Sequence, residues 1–204
     1  MSLQNKQPES KQLLAKYWAT GKKFHANTSS FIKKYNNKII VIKYGGYALT
    51  KPALLKSFVK NISLLNQLGI KVIVVHGGGP QIEKELKKRK INNEEYQGLR
   101  VTTKSVLGVV KRILSHDLNR LISDEIKKNG GKTKRLNGVS TKVLKAKIAM
   151  NGNIGFVGEP RGIDKNIIMK ALKSNHIPII APLGVDANNN TLNVNADTAA
   201  AYIA

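Results

Sequence analysis

The chain has 204 residues, enough for one or two domains, and 41% of them are hydrophobic, as in globular rather than disordered proteins. Its formal net charge of +23 would suit nucleic acid, an anionic membrane surface or a phosphorylated substrate as a partner. The absence of cysteine excludes disulfides and thiolate metal sites and fits a cytoplasmic protein, and no apolar run approaches the roughly 18 residues of a membrane span.

Residues 1–35 are predicted to form an N-terminal extension that contains an amphipathic helix. Apolar side chains recur in it at helical spacing, and a glycine at position 21 is a residue type that ends helices: Leu13, Leu14, Tyr17 and Trp18. Such an apolar stripe has to be covered, and two alternatives remain open. It packs either on the chain's own domain or on a partner subunit.

From Lys38 onward, short aliphatic strands alternate with amphipathic helices. Residues 38–43 (KIIVIK) are typical of a buried strand, and residues 71–76 (KVIVVH) of a second one. Between them, residues 52–69 predict a helix with proline in its first turn and glycine at its end. Two strands joined by one helix form a βαβ unit, so we expect these strands to be parallel.

The rest of the chain continues this alternation, which indicates an α/β fold. A hairpin is expected over residues 142–160, with its turn at 151–153, and another buried strand over 176–182. The remaining apolar patterns predict helices, over residues 81–88, 104–115, 118–129, 165–175 and 196–204.

Two of the predicted strands end in glycines, at Gly45–Gly46 (VIKYGG) and at Gly77–Gly79 (VVHGGGP). Ligands of parallel α/β sheets bind beyond the carboxyl ends of the strands, and glycine allows backbone N–H groups to approach an anion closely. Neither loop has the spacing of a dinucleotide-binding motif or of a P-loop. Lys43 precedes the first loop, and it either marks where the strand reaches water or places a charge over an anion held by both loops.

Five segments in this order resemble the N-acetylglutamate kinases of the amino-acid kinase family: VIKYGG, VIVVHGGGPQI, GLRVT, GFVGE and the stretch from Ile177 to Ala204. The resemblance extends from about Phe31 to Ala204. It implies an open αβα sandwich with a mainly parallel sheet, preceded by an N-terminal helix. It also implies transfer of the γ-phosphoryl group of ATP, which brings Mg²⁺ with it, to the side-chain carboxylate of N-acetyl-L-glutamate in arginine biosynthesis.

The resemblance also implies catalytic and phosphate-binding residues. Lys43 matches a lysine that stabilises the transferring phosphoryl group, a reaction that depends on positioning and charge neutralisation. Gly45 and Gly46 match backbone donors around that group. Asp197 matches an aspartate that holds catalytic lysines in position, although its place in the chain would equally suit a favourable charge at a helix N-terminus.

The substrate-binding residues follow from the same motifs. Gly78 and Gly79 match backbone contacts to the substrate, and Arg100 matches the guanidinium that binds its α-carboxylate, which suits a bidentate fork. Asn193 resembles an amide that hydrogen-bonds the substrate. Asn195 matches a neighbouring asparagine near the same site. His76 is interpreted as structural, because the acceptor carboxylate is ionised at neutral pH and needs no general base. No metal site formed by protein side chains is predicted.

The sequence also departs from the family. Residues 36–204 are predicted to be the N-terminal, acyl-acceptor-binding portion of the domain, without the C-terminal ATP-binding portion and its second lysine. The last predicted helix shows no stop signal before the chain ends, so we expect a truncated product that binds N-acetylglutamate weakly or not at all and is inactive alone. Tyr47 and Thr103 stand where the family more often has Asn and Asp.

Partners are predicted on the same basis. In arginine-inhibited members, an N-terminal helix joins dimers into a hexameric ring, so a homo-oligomer is expected through the stripe of residues 13–18. Two alternatives remain: a basic module that binds nucleic acid, or a non-catalytic partner of a full-length kinase. Nucleic acid is disfavoured because the lysines are scattered and aromatic residues are only 5% of the chain. No membrane partner is expected.

Overall fold

The structure is a computed structural model that describes residues 28–204. The apolar stripe of residues 13–18, which predicted an amphipathic helix in the N-terminal extension, lies outside this range. The first described element is a helix that the sequence did not predict, and its last residue, Tyr35, packs against the main core.

The described chain alternates helices and strands. The helices are α1 (Thr28–Tyr35), α2 (Pro52–Gln67), α3 (Gly79–Lys88), α4 (Lys104–Lys111), α5 (Asn119–Lys128), α6 (Lys165–Lys173) and α7 (Ala196–Ile203). The strands are β1 (Ile39–Tyr44), β2 (Lys71–His76), β3 (Glu95–Tyr96), β4 (Leu99–Arg100), β5 (Thr133–Asn137), β6 (Leu144–Ile148), β7 (Val157–Ile163), β8 (Ile177–Ala181), β9 (Leu183–Val185) and β10 (Thr191–Val194). A π-helical segment, Arg112–Leu118, joins α4 to α5 without a break.

The main sheet has the strand order β1-β2-β8-β5, and every neighbouring pair in it is parallel. The predicted parallel pairing of the first two strands is therefore confirmed, with Lys43 beside Val75 in the register. Because parallel strands end at the same edge of a sheet, the two glycine loops emerge next to each other.

Helices cover both faces of this sheet, which confirms the αβα sandwich. Side chains alternate along β2, so Val72 and Val74 join a core formed with α2, α3, α4 and α5. Ile73 and Val75 point to the opposite face, where they pack in a cluster that includes residues of α6 and α7.

Strand β1 is less buried than its continuous aliphatic run predicted. Its first residue, Ile39, is 45% exposed, and Lys43 near its end is also exposed. Such runs are typical of strands covered on both faces and flanked on both sides. In the described part of the chain β1 is an edge strand, with β2 as its only neighbour.

A second, smaller sheet closes on itself in the order β10-β7-β6-β9. The predicted hairpin is confirmed as its antiparallel β6–β7 pair, and β7 pairs in parallel with β10. The sequence did not predict β3, β4, β5, β9 or β10. These strands have five residues or fewer, too few for a clear alternation of apolar and polar side chains.

None of the helices in residues 28–204 combines the length and the apolar character that crossing a bilayer requires.

Backbone contact between the two sheets leaves no room for a side chain at Gly138. Its N–H donates to the Leu183 carbonyl oxygen over 2.7 Å, and an added Cβ would lie 2.2 Å from that oxygen. We therefore expect Gly138→Ala to lower the free energy of unfolding by about 2–3 kcal/mol, as overpacking does. Urea titration would measure the change.

The matched control is Gly108→Ala, on the exposed side of α4, where an added Cβ meets no atom within 4 Å. Alanine is the better helix former, so this variant should gain about 0.5–1 kcal/mol. Equal stabilities for the two variants would contradict the proposed close approach at Gly138.

Candidate functional site

A cleft of about 250 Å³ lies where β1 and β2 end. All of the residues predicted to form the site except Gly45 line it: Lys43, Gly46, Gly78, Gly79, Arg100, Asn193, Asn195 and Asp197. They come from segments up to 154 positions apart in the chain (197 − 43). Gly45 stands just outside, where an added Cβ would lie 3.9 Å from the Lys43 Nζ atom.

The two glycine loops are in direct backbone contact. A Cβ on Gly46 would lie 2.8 Å from the Gly78 nitrogen and 2.9 Å from the Gly79 nitrogen. The Gln81 side chain strengthens this contact, because its Nε2 donates to the Gly46 carbonyl oxygen over 2.9 Å. The strand-end loops therefore form one unit.

Within residues 28–204, four N–H groups of these loops have no acceptor. No described oxygen accepts a hydrogen bond from the backbone nitrogen of Gly45, Gly46, Gly78 or Gly79. Gly78 is buried, and a buried N–H group without a partner is rare in proteins. Gly79 is also the first residue of α3, where the helix dipole favours a negative charge. This arrangement suits an anionic ligand.

Lys43 and Asp197 form an ion pair at the edge of the cleft. The Lys43 Nζ lies 3.0 Å from the Asp197 Oδ1, and the two side chains are 35% and 70% exposed. Such an exposed pair contributes little to stability, but it limits the positions open to the ammonium group. The lysine thus has both a carboxylate partner and access to solvent.

Arg100 enters the cleft from the short β3–β4 hairpin. Its guanidinium donates to the Asn93 Oδ1 and, over 3.5 Å, to the Gly79 carbonyl oxygen. Burial lowers the pKa of Arg100, and the nearby carboxylates of Glu95 and Glu83 oppose that shift. Glu95 also lines the cleft, so the site carries an acidic group that the sequence did not identify.

The two asparagines have different surroundings. Asn193 Nδ2 donates over 3.1 Å to the hydroxyl of buried Thr102, which in turn donates to the Arg100 carbonyl oxygen over 2.8 Å. This chain of hydrogen bonds ties β10 to the hairpin. Asn195 is the N-cap of α7, and its Oδ1 accepts from the Asp197 and Thr198 backbone nitrogens at 2.9 and 3.0 Å. The cap therefore sets the start of the helix that carries Asp197.

The two departures from the family pattern lie outside the lining of the cleft. Thr103 is the N-cap of α4, where its hydroxyl accepts from the Val106 nitrogen at 3.4 Å. Threonine and aspartate are both good N-cap residues, so this exchange preserves the local structure. Tyr47 is 66% exposed.

His76 is fully buried behind the second glycine loop. Its Nδ1 lies 3.1 Å from the Gly77 carbonyl oxygen, and its Nε2 lies 3.2 Å from the Asn119 Nδ2. Burial lowers the pKa of His76 from 6.5 to about 4, with a smaller opposing effect of the Gly77 hydrogen bond. The imidazole is therefore neutral at pH 7 and takes no place in the lining of the cleft.

Sequence reasoning assigned no role to four residues that shape the site. Gln81 and Thr102 lie within motifs that were recognised, so their neighbours in the sequence were the available signal. Glu95 and Asn119 had no such signal, because tertiary packing alone brings them to the cleft and to His76. No group of three or more histidine or acidic side chains within residues 28–204 is arranged to hold a metal ion.

The chain is similar to known proteins over most of its length. The sequence model of the amino acid kinase family matches residues 38–204. The acetylglutamate kinase of Psychrobacter cryohalolentis is 40% identical over 185 residues, which cover 85% of this chain and 62% of that protein. The acetylglutamate kinase of Campylobacter curvus is also 40% identical, over 174 residues, with the same coverage. The chain thus spans about three fifths of the length of these curated relatives.

Solved structures share the fold. The crystal structure of smu.665 from Streptococcus mutans superposes with a TM-score of 0.73 at 30% identity and covers 79% of this chain and 65% of its own. The N-acetylglutamate synthase of Neisseria gonorrhoeae, complexed with coenzyme A and N-acetyl-glutamate, gives a TM-score of 0.74 at 21% identity. That match covers 86% of this chain and 40% of the synthase, and it shows the fold alone.

The pKa of His76 makes stability depend on pH. Between pH 6.5 and about 4 the unfolded chain binds a proton at this residue that the folded chain does not, so stability falls as the pH falls. From pH 7 to pH 5 we expect the free energy of unfolding to fall by about 2 kcal/mol because of this residue. His76→Asn should remove that loss, which urea unfolding of variant and wild type at both pH values would measure.

His176→Asn serves as the control, because His176 is partly exposed. If His76→Asn loses as much stability between pH 7 and pH 5 as His176→Asn does, His76 does not titrate as a buried neutral imidazole.

Proposed function

The chain belongs to the amino acid kinase family, and from this premise we propose that its cleft binds N-acetyl-L-glutamate and is the place of phosphoryl transfer from ATP to the side-chain carboxylate of that substrate. One observation carries the proposal. The ammonium group of Lys43, held by Asp197, lines the same cleft as three glycine N–H groups that have no described acceptor. Such a set of donors fits a phosphoryl group and the carboxylate that receives it.

The substrate has two carboxylates, and the cleft has a separate group for each. Arg100 is the only arginine among the lining residues of the described cleft, and a guanidinium fork suits the α-carboxylate. Asn193 pairs with Val157 in the β10–β7 register, and in this proposal its side-chain amide binds the substrate. In this proposal Gly78, Gly79 and Asn195 complete the substrate-binding surface.

The reaction forms a bond between a substrate carboxylate oxygen and the γ-phosphorus and breaks the bond from that phosphorus to the β–γ bridging oxygen. The carboxylate is already ionised at neutral pH, so no residue has to remove a proton. Negative charge spreads over the phosphoryl oxygens during transfer. Lys43 and the N–H groups of Gly45 and Gly46 would neutralise that charge, while Asp197 holds the lysine in position.

The described residues fit the phosphoryl end of ATP, because the cleft combines a lysine, unpaired N–H groups and the N-terminus of α3. Mg²⁺ would enter with the nucleotide, where it neutralises phosphate charge. We propose that residues 36–204 supply the acyl-acceptor portion of the enzyme. The curated relatives extend beyond the aligned region, so acceptor binding is the step that this chain's residues support most directly.

Substrate binding tests the proposal. Titration of the ¹⁵N-labelled chain with N-acetyl-L-glutamate should shift the amide signals of Gly78 and Gly79. Arg100→Lys should weaken this binding about tenfold or more, because a lysine cannot replace two parallel charge-assisted hydrogen bonds.

The control is Arg120→Lys on α5, whose guanidinium pairs with Asp124 away from the cleft. It should leave the affinity unchanged. Binding that is equally strong in both variants, or absent from the wild type, would contradict the assigned substrate site.

Phosphate binding tests the role of Lys43. Lys43→Met should lower the affinity for inorganic phosphate about tenfold, as followed by the shift of the Gly46 amide signal. It should leave the affinity for N-acetyl-L-glutamate within about threefold, because the lysine charge lies at the phosphoryl position.

Lys56→Met is the matched control, since Lys56 is exposed on α2 and does not line the cleft. It should behave as the wild type in both measurements. Phosphate binding that is unchanged in Lys43→Met would remove this lysine from the proposed mechanism.

A further inference from the structure

A buried pair of side chains lies directly behind the second glycine loop. His76 is the last residue of β2, and Asn119 is the first residue of α5, where the π-helical segment ends. Their exposed fractions are 0% and 1%. Neither side chain lines the cleft, and the mechanism above uses neither.

The hydrogen bonds of this pair determine which imidazole nitrogen carries the proton. Asn119 Nδ2 lies 2.9 Å from the Ile179 carbonyl oxygen, which can only accept, so this end of the side-chain amide must be the NH₂ group. The same NH₂ group lies 3.2 Å from the His76 Nε2. That nitrogen must therefore accept, and the ring proton must reside on Nδ1.

The proton on Nδ1 fixes the peptide between Gly77 and Gly78. Nδ1 donates to the Gly77 carbonyl oxygen, which lies 3.1 Å away. In a trans peptide the C=O and the following N–H point in opposite directions, and the described chain contains no cis peptide. The Gly78 N–H is therefore turned away from His76, and it is one of the N–H groups that have no described acceptor.

The π-helical segment closes the back of the same loop. A Cβ on Gly78 would lie 2.7 Å from the Leu114 Cδ2 and 2.7 Å from the Leu118 Cδ1. Both leucines belong to the segment that leads into Asn119. π-Helical turns are rare in proteins overall, but those that occur often lie at functional sites. Here the turn supplies the apolar contact to Gly78 and leads directly into Asn119, the hydrogen-bonding residue behind the glycines.

We propose that Asn119 and His76 are positioning residues: Asn119 holds His76 in the Nδ1–H tautomer, and His76 turns the Gly77–Gly78 peptide so that the Gly78 N–H is available to an anion in the cleft. The identity of that anion rests on the proposed function. The tautomer of His76 and the direction of the Gly77–Gly78 peptide do not depend on that function.

The first test needs no ligand. Imidazole ¹⁵N spectra of the wild type at pH 7 should show His76 with a protonated Nδ1 and an unprotonated Nε2. The opposite tautomer would overturn the proposal, because an Nε2–H group would face the NH₂ group of Asn119.

The second test compares two substitutions of His76. In His76→Asn the side-chain NH₂ can occupy the place of Nδ1 and donate to Gly77, whereas in His76→Gln the NH₂ lies near the place of Nε2. The Gly78 N–H residual dipolar coupling should match the wild type in His76→Asn and differ in His76→Gln. Inorganic phosphate should bind within about threefold of wild type to the first variant and about tenfold more weakly to the second.

Glutamine is closer than asparagine to histidine in volume, so a role in packing alone predicts the reverse order, and that result would overturn the proposal. Equal couplings in both variants would overturn it as well. If wild type binds neither phosphate nor N-acetyl-L-glutamate, the proposed function fails, while the tautomer and the coupling still decide the positioning role. Urea unfolding of both variants establishes that they are folded when the couplings are measured.

Discussion

The close contact between the two glycine loops is the constraint on which the cleft depends. A side chain on Gly46 would collide with the backbone of Gly78 and Gly79, so the loops meet only because Gly46 lacks one. Parallel pairing of β1 and β2 brings the loops to the same edge of the sheet, and Gln81 holds them together. N–H groups from two strand ends can then act on one ligand.

The charges of the cleft come from three different parts of the chain. Lys43 lies at the end of β1, Arg100 on the β3–β4 hairpin, and Asp197 in the first turn of α7. The ion pair of Lys43 and Asp197 is too exposed to stabilise the fold appreciably. In the proposed function, this ion pair orients the Lys43 ammonium group toward the transferred phosphoryl group.

Residues that can contact a ligand and residues that orient them lie in separate layers. The residues that can contact a ligand lie on strand-end loops and at helix N-termini, where solvent and a ligand have access. Behind them, buried hydrogen bonds join His76, Asn119 and the Ile179 carbonyl oxygen. Burial disfavours the charged form of the imidazole, so it lowers the pKa of His76 and is expected to lower the stability of the fold in acid. The same burial keeps the ring neutral and able to hold one tautomer.

The alternation of strands and helices and the parallel β1–β2 pair could be predicted from the sequence, because apolar periodicity and helix stops are local signals. The family motifs in the sequence predicted most of the residues that meet in the cleft, but Gly45 lies outside it. Only the tertiary structure shows that β1 is an edge strand within residues 28–204, that strands β10, β7, β6 and β9 close into a barrel, and that Glu95 and Asn119 lie beside the site. Each of these features depends on contacts between segments that are distant in the chain. The residues next to Glu95 or Asn119 in the sequence therefore do not predict which side chains will contact them.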